Sequence, residues 1–132
     1  MSRAASDHRP GRYDGIRPSR TRRIWLVLLG LSLLVQLVVL YAPSAPGGPE
    51  VNGLDKVIHA SVFGAAVLTA LLAGLPRRWV LTVLALHAPV SEVVQATLLP
   101  SRDGDVWDVV ADVTGVGLAL GAFLVIARMR RW

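Results

Sequence analysis

The residues able to do chemistry fall into three short groups. The first is Asp55-Lys56-Val57-Ile58-His59, with Phe63 four residues beyond the histidine. The second is His87, Ser91, Glu92 and Gln95, and the third is Asp105, Asp108 and Asp112 followed by Gly115. Residues three and four apart are neighbours on a helix. Positions 55, 59 and 63 therefore share a face, as do 87, 91 and 95 with Glu92 beside them, and 105, 108, 112 and 115. A histidine near carboxylates is the pairing that general acid–base catalysis needs, so His59 with Glu92 or Asp108 is a candidate catalytic set. Lys56 and Arg102 are candidate clamps for a phosphate. Asp55, His59, Asp108 and Asp112 offer an oxygen-rich set suited to Mg²⁺, Mn²⁺ or Ca²⁺. No serine, histidine and acid stand at recognisable nucleophile spacing. The chain has no cysteine, which excludes disulfides, thiol catalysis and thiolate metal sites.

These groups must be carried by elements of an apolar chain. Of 132 residues, 53% are hydrophobic and 17% charged, with mean hydropathy +0.52. Soluble domains have about 25% charged residues, so this chain is biased toward lipid. A bilayer core takes roughly 20 apolar helical residues to cross. Four stretches meet or approach that length: about 24–41, 57–75, 79–99 and 106–127. The expected architecture is an all-α membrane protein with four transmembrane helices, and the lipid bilayer is its first partner. Residues 1–23 are expected to form a disordered, arginine-rich tail, with the four-helix domain over 24–132. Thr21-Arg22-Arg23 before an apolar run also fits an export signal, but 18 uncharged residues from Ile24 to Tyr41 are long for a signal core, and Pro43, Pro46 and Pro49 suit a loop better than a cleavage site.

The net charge of +5 is arranged by topology rather than as a nucleic-acid footprint. Arg3, Arg9, Arg12, Arg17, Arg20, Arg22 and Arg23 precede the first span, Arg77 and Arg78 lie between spans two and three, and Arg128, Arg130 and Arg131 follow span four. Only Lys56 and Arg102 fall on the other side. The positive-inside rule places both termini in the cytoplasm. The loops expected outside are about 42–55 and 100–105, and all three polar groups sit at that outer level. A charged side chain facing lipid costs at least about 2.5–3.5 kcal/mol, so the polar faces are expected to point at one another. Pro89 is expected to bend span three, and Gly115, Gly117 and Gly121 with Ala119 to let span four pack closely. The outer cluster holds Asp55, Glu92, Asp103, Asp105, Asp108 and Asp112 against Lys56 and Arg102, an excess of four negative charges with histidine neutral. Protonated carboxylates, a protonated His59, a divalent metal or exposure of some acids to water would each relieve it.

The pattern Asp55-Lys56-x-x-His59-x-x-x-Phe63, Glu92-x-x-Gln95, Pro100-x-Arg102 and Asp105-x-x-Asp108, with Gly115 and Gly121, resembles the VanZ-like family of bacterial membrane proteins. The resemblance covers about residues 50–122. It departs at Asp112, where the family pattern leads one to expect asparagine. The family takes its name from a protein linked to teicoplanin resistance. The resemblance therefore implies a multi-pass protein of the bacterial cell membrane, a cell-envelope setting and a part in glycopeptide tolerance.

Three functional classes fit these residues. The first choice is an accessory or binding protein with a polar pocket at the outer face, engaging a cell-wall or lipid-linked ligand or another membrane protein. Asp55, Lys56, Gln95, Arg102, Asp105 and Asp112 would be its binding residues. The second is a membrane-embedded enzyme acting on such a ligand through His59, Glu92 and Asp108. The third is a proton-linked carrier. Against all three stands a purely structural network, in which Arg102 bridges Asp105 or Asp108, Asp105 caps span four, Gln95 bonds a neighbouring helix and His87 is a solitary structural group.

Overall fold

A computed structural model describes residues 19–42, 53–99, 102 and 104–130. Among these residues there are four helices: α1 (Arg20–Tyr41), α2 (Leu54–Leu72), α3 (Arg77–Leu98) and α4 (Val106–Met129). No strand occurs among the described residues. Each helix is long and apolar enough to cross a membrane, so length and composition mark a multi-pass membrane protein. The expected tail over residues 1–18, most of the loop expected over 42–55, Pro100, Asp103, Arg131 and Trp132 lie outside the described residues.

Local chemistry sets the helix ends, and it moves them from the limits of the apolar runs. The Ser19 hydroxyl accepts from the Arg22 N–H at 3.2 Å, so α1 starts one turn before its charge-free stretch. Arg20 to Arg23, expected in the tail, are helical. Helix α2 begins at Leu54 rather than 57 and ends at Leu72 rather than 75. Gly74 stops it at φ +80°: the Gly74 N–H bonds the Leu71 carbonyl at 3.0 Å and the Leu75 N–H bonds that of Ala70 at 3.1 Å. That pair of bonds is a Schellman ending, which a glycine completes without a Cβ penalty. Asp105 caps α4 by accepting from the Trp107 N–H at 2.8 Å, as the spacing leads one to expect. Asp108 in its first turn and Arg128 in its last complement the helix dipole.

Contacts between helix ends show the topology. Arg22 Nε donates to the Ala73 carbonyl at 3.2 Å, joining the start of α1 to the end of α2. Lys56 reaches Asp105 and Asp108, joining the starts of α2 and α4. The helices thus alternate in direction, with one polar end and one arginine end. Helix α2 is the hub, packed most heavily on α4 and next on α1, while α3 lies against α4 and α2. Phe63, Ala66, Val67 and Leu71 of α2 form the core with Leu40, Ala88, Val116 and Ala119. Helix α1 buries only Gln36 and Leu40 and leaves most of its leucines and valines exposed, a surface suited to lipid.

The tightest contact joins α2 to α4. A Cβ built on Gly115 would sit 2.1 Å from the Ala60 carbonyl oxygen, and one on Gly64 would sit 3.2 Å from that of Gly115. Gly117 and Gly121, expected to help this packing, have nothing among the described residues within 4 Å of such a Cβ. They lie on the part of α4 turned away from α2. Gly115→Ala should therefore cost about 1–3 kcal/mol, because backbone cannot yield as a side chain can. Gly117→Ala should gain about 0.5–1 kcal/mol from lower unfolded-state entropy. Unfolding of the two variants in the same detergent measures both.

Candidate functional site

The polar end is built around Lys56, in the first turn of α2 and half-buried. Its Nζ donates to Asp105 Oδ2 at 2.9 Å, Asp55 Oδ2 at 3.0 Å and Asp108 Oδ1 at 3.2 Å. A single ammonium has three donors, and here all three meet carboxylates. Asp55 is exposed at the rim, whereas Asp108 is 8% exposed. The Lys56 ammonium, aided by the Trp107 N–H, holds the Asp105 carboxyl below its ordinary range.

One turn deeper, His59 Nδ1 lies 3.0 Å from Asp112 Oδ1, and its Nε2 lies 3.9 Å from Asp108 Oδ2. Both partners are buried, and Asp112 is 0% exposed, its second oxygen, Oδ2, without a partner among the described residues. The close approach at Gly115 makes this pair possible, since His59 adjoins Ala60 and Asp112 lies one turn before the glycine. Glu92 of α3 completes the layer. Its Oε2 accepts from the Asp105 N–H at 2.9 Å and its Oε1 from Gln95 Nε2 at 3.3 Å. Gly104 permits the first bond, because a Cβ there would crowd the Glu92 carbonyl at 3.0 Å and Ala96 at 2.9 Å.

Arg102 does not bridge Asp105 or Asp108. Its guanidinium donates to the Val39 carbonyl at 2.8 Å, the Ala42 carbonyl at 3.1 Å and Gln95 Oε1 at 3.5 Å. The last carbonyls of α1 lack intrahelical partners and carry the negative end of its dipole, so they compete for the cation. Lys56 takes the bridging role expected of Arg102. Gln95, expected to bond a neighbouring helix, joins Glu92 on its own helix to Arg102 in the α3–α4 connection.

His87 is not solitary. Tyr41 Oη lies 3.0 Å from its Nε2 and Gln36 Nε2 lies 3.3 Å from its Nδ1, while the Phe63 ring packs 5.5 Å away. Gln36, 1% exposed, is the residue that sequence reasoning passed over. The available signal was an amide inside the otherwise apolar first span. This second polar layer ties α1 to α3 and lies beneath the first.

All nine sequence-selected residues, Asp55, Lys56, His59, Glu92, Gln95, Arg102, Asp105, Asp108 and Asp112, meet at this one end. Two sets present ligand atoms within 4.8 Å of one another: buried His59, Glu92 and Asp112, and the more exposed Asp55, Asp105 and Asp108. The four-residue set read from sequence, Asp55, His59, Asp108 and Asp112, is thus divided between two layers. Chemically, the inner layer offers an imidazole oriented by a carboxylate, and the outer layer a lysine already neutralised by acids. No protein-family model, curated protein or solved structure matches the chain.

Two expectations follow from this geometry. Arg102→Ala should cost about 1.5–3 kcal/mol, the usual worth of hydrogen bonds to a charged group, and Arg102→Lys should recover only part, since one nitrogen cannot reproduce the fork. Denaturation in detergent measures this. Asp105 has its folded-state pKa lowered, so its stabilisation is present above the ordinary carboxylate range and is lost as pH falls through the folded value. A melting-temperature series from pH 7 down to 3 should show that loss in the wild type and a shallower acid limb in Asp105→Asn.

Proposed function

We propose that this chain is a VanZ-like multi-pass protein of the bacterial cell membrane, with both termini cytoplasmic and the polar end facing outward. Its role is that of an accessory, ligand-binding protein of the cell envelope, acting in glycopeptide tolerance. The orientation is supported by the arginine asymmetry, and the family by the residue pattern on α2, α3 and α4. One observation carries the binding role: Asp55 and Lys56 form an accessible rim over buried Asp108 and, beneath it, the buried layer of His59, Glu92 and Asp112. Charges at that depth are costly and by default mark a functional site.

The same geometry refines the class of ligand. Lys56 is held by three carboxylates and Arg102 by two carbonyls, so neither is free to clamp a phosphate. The surplus is acidic. It suits the cationic or hydrogen-bond-donating part of an envelope ligand better than its phosphate. A second reading, an enzyme on a lipid-linked or cell-wall substrate, draws on the 3.0 Å His59–Asp112 contact, in which a carboxylate orients a histidine. Glu92 or Asp108 would then be the partner acid.

Topology and role are tested separately. Because the chain lacks cysteine, Leu54→Cys and Arg78→Cys report without background. An impermeant maleimide should label Leu54→Cys in intact cells and Arg78→Cys only after lysis; the reverse pattern overturns the orientation. Expression in a teicoplanin-susceptible host should raise tolerance, and His59→Gln should remove the gain at equal membrane abundance. No gain with the wild-type chain overturns the envelope role. Mass analysis of lipid-linked precursors separates the two readings, because only an enzyme alters their structure.

A further inference from the structure

We propose that His59, Glu92 and Asp112 form a binding site for one divalent transition-metal ion of the zinc or manganese class. The proposal concerns the buried layer alone and stands whether or not the chain acts in the cell envelope. Three observations carry it. First, one imidazole and two carboxylates from three different helices bring ligand atoms within 4.8 Å of one another, and all three residues are buried. Ligand atoms lie about 2.1 Å from a zinc ion, hence no more than ~4.2 Å apart across it, so closure takes shifts of under ~1 Å.

Second, Asp112 Oδ2 is a carboxylate oxygen without a partner among the described residues, in a residue that is 0% exposed. Buried polar atoms are almost always paired, and an orphan of this kind calls for an ion or a proton. Third, the layer is held as ligands are held. Glu92 has both oxygens engaged, by the Asp105 N–H and by Gln95, and Gln95 is in turn gripped by Arg102. Such outer partners orient ligating carboxylates and tune affinity.

The chemistry selects the ion. Calcium takes six to eight oxygens and magnesium prefers oxygen in a strict octahedron, whereas an imidazole with two carboxylates suits zinc or manganese. The outer set of Asp55, Asp105 and Asp108 is the weaker competitor, because the Lys56 ammonium already contacts all three. A cation in the inner layer would also offset the acids: five carboxylates at this end face only Lys56 and Arg102 as fixed cations among the described residues.

The test uses full-length protein carrying a tag without histidine, stripped with chelator in detergent. Titration with Zn²⁺ and with Mn²⁺ should show saturable uptake of one ion per chain and a raised melting temperature, with Mg²⁺ ineffective at equal concentration. Asp112→Asn and Glu92→Gln should each abolish uptake. Gln95→Ala, a positioning change, should weaken it about 10–100-fold, and Asp55→Asn should leave it intact. Absence of uptake by the wild type overturns the proposal. So does loss in Asp55→Asn with retention in Asp112→Asn, which would place the ion among the outer acids. Should the inner variants fail to fold, pulsed electron paramagnetic resonance of Mn²⁺ on the wild type decides: coupling to a histidine nitrogen is expected, and its absence overturns the site.

Discussion

The contact between the backbones of α2 and α4 sets the geometry of everything around it. At Gly115 the helices approach so closely that even a methyl group would strike the Ala60 carbonyl. In a lipid environment, helix association has little hydrophobic drive and depends on van der Waals contact and interhelical hydrogen bonds, which small residues allow. Here the small residues stand beside the polar ones. His59 precedes Ala60 and Asp112 lies one turn before Gly115, so close approach delivers the imidazole to the carboxylate at 3.0 Å. Lys56, one turn above, then reaches the cap of α4 as well as its first turn. Packing and polar pairing are thus one constraint.

Arginines close both ends of this core. Arg22 bonds the carbonyl after α2, and Arg102 bonds those at the end of α1. Each uses a guanidinium where a helix leaves oxygen unsatisfied and its dipole is negative. The bundle holds α1, whose buried surface is small, by packing it on α2 and by polar contacts: Gln36 and Tyr41 on His87 in the interior, and Arg102 at the polar end. Most of its remaining surface is apolar and turned outward.

Much of this was legible in the amino-acid order. Four long apolar runs gave four helices, and the spacings 55–59–63 and 105–108–112 placed side chains on shared faces that meet. Asp105 as a cap was legible because an acid stood directly before an apolar helix. Less legible was which helix each face would meet. Charge alone paired Arg102 with aspartates, because a sequence shows ionic charge but not the partial charge of a helix end elsewhere in the chain. Periodicity likewise could not rank Gly115 above Gly117 and Gly121, since only the partner helix decides which glycine sits at the crossing. His87 looked solitary because its partners lie on α1, 46 and 51 residues earlier. The runs also misplaced helix ends by a few residues, as hydropathy does not register capping by Ser19 or Gly74.

The strap made by Arg102 has a consequence for biosynthesis. Arg102 is translated 60 and 63 residues after the two carbonyls it grips. When α1 leaves the ribosome it has no such partner, and it must wait in the bilayer until α2, α3 and the connection to α4 have followed. The first helix made can pack on α2 as soon as that helix follows, but its C-terminal end is among the last parts to be fastened. A chain interrupted before residue 102 would keep the contacts of α1 with Ala73 and His87 but leave the carbonyls at its end without this strap.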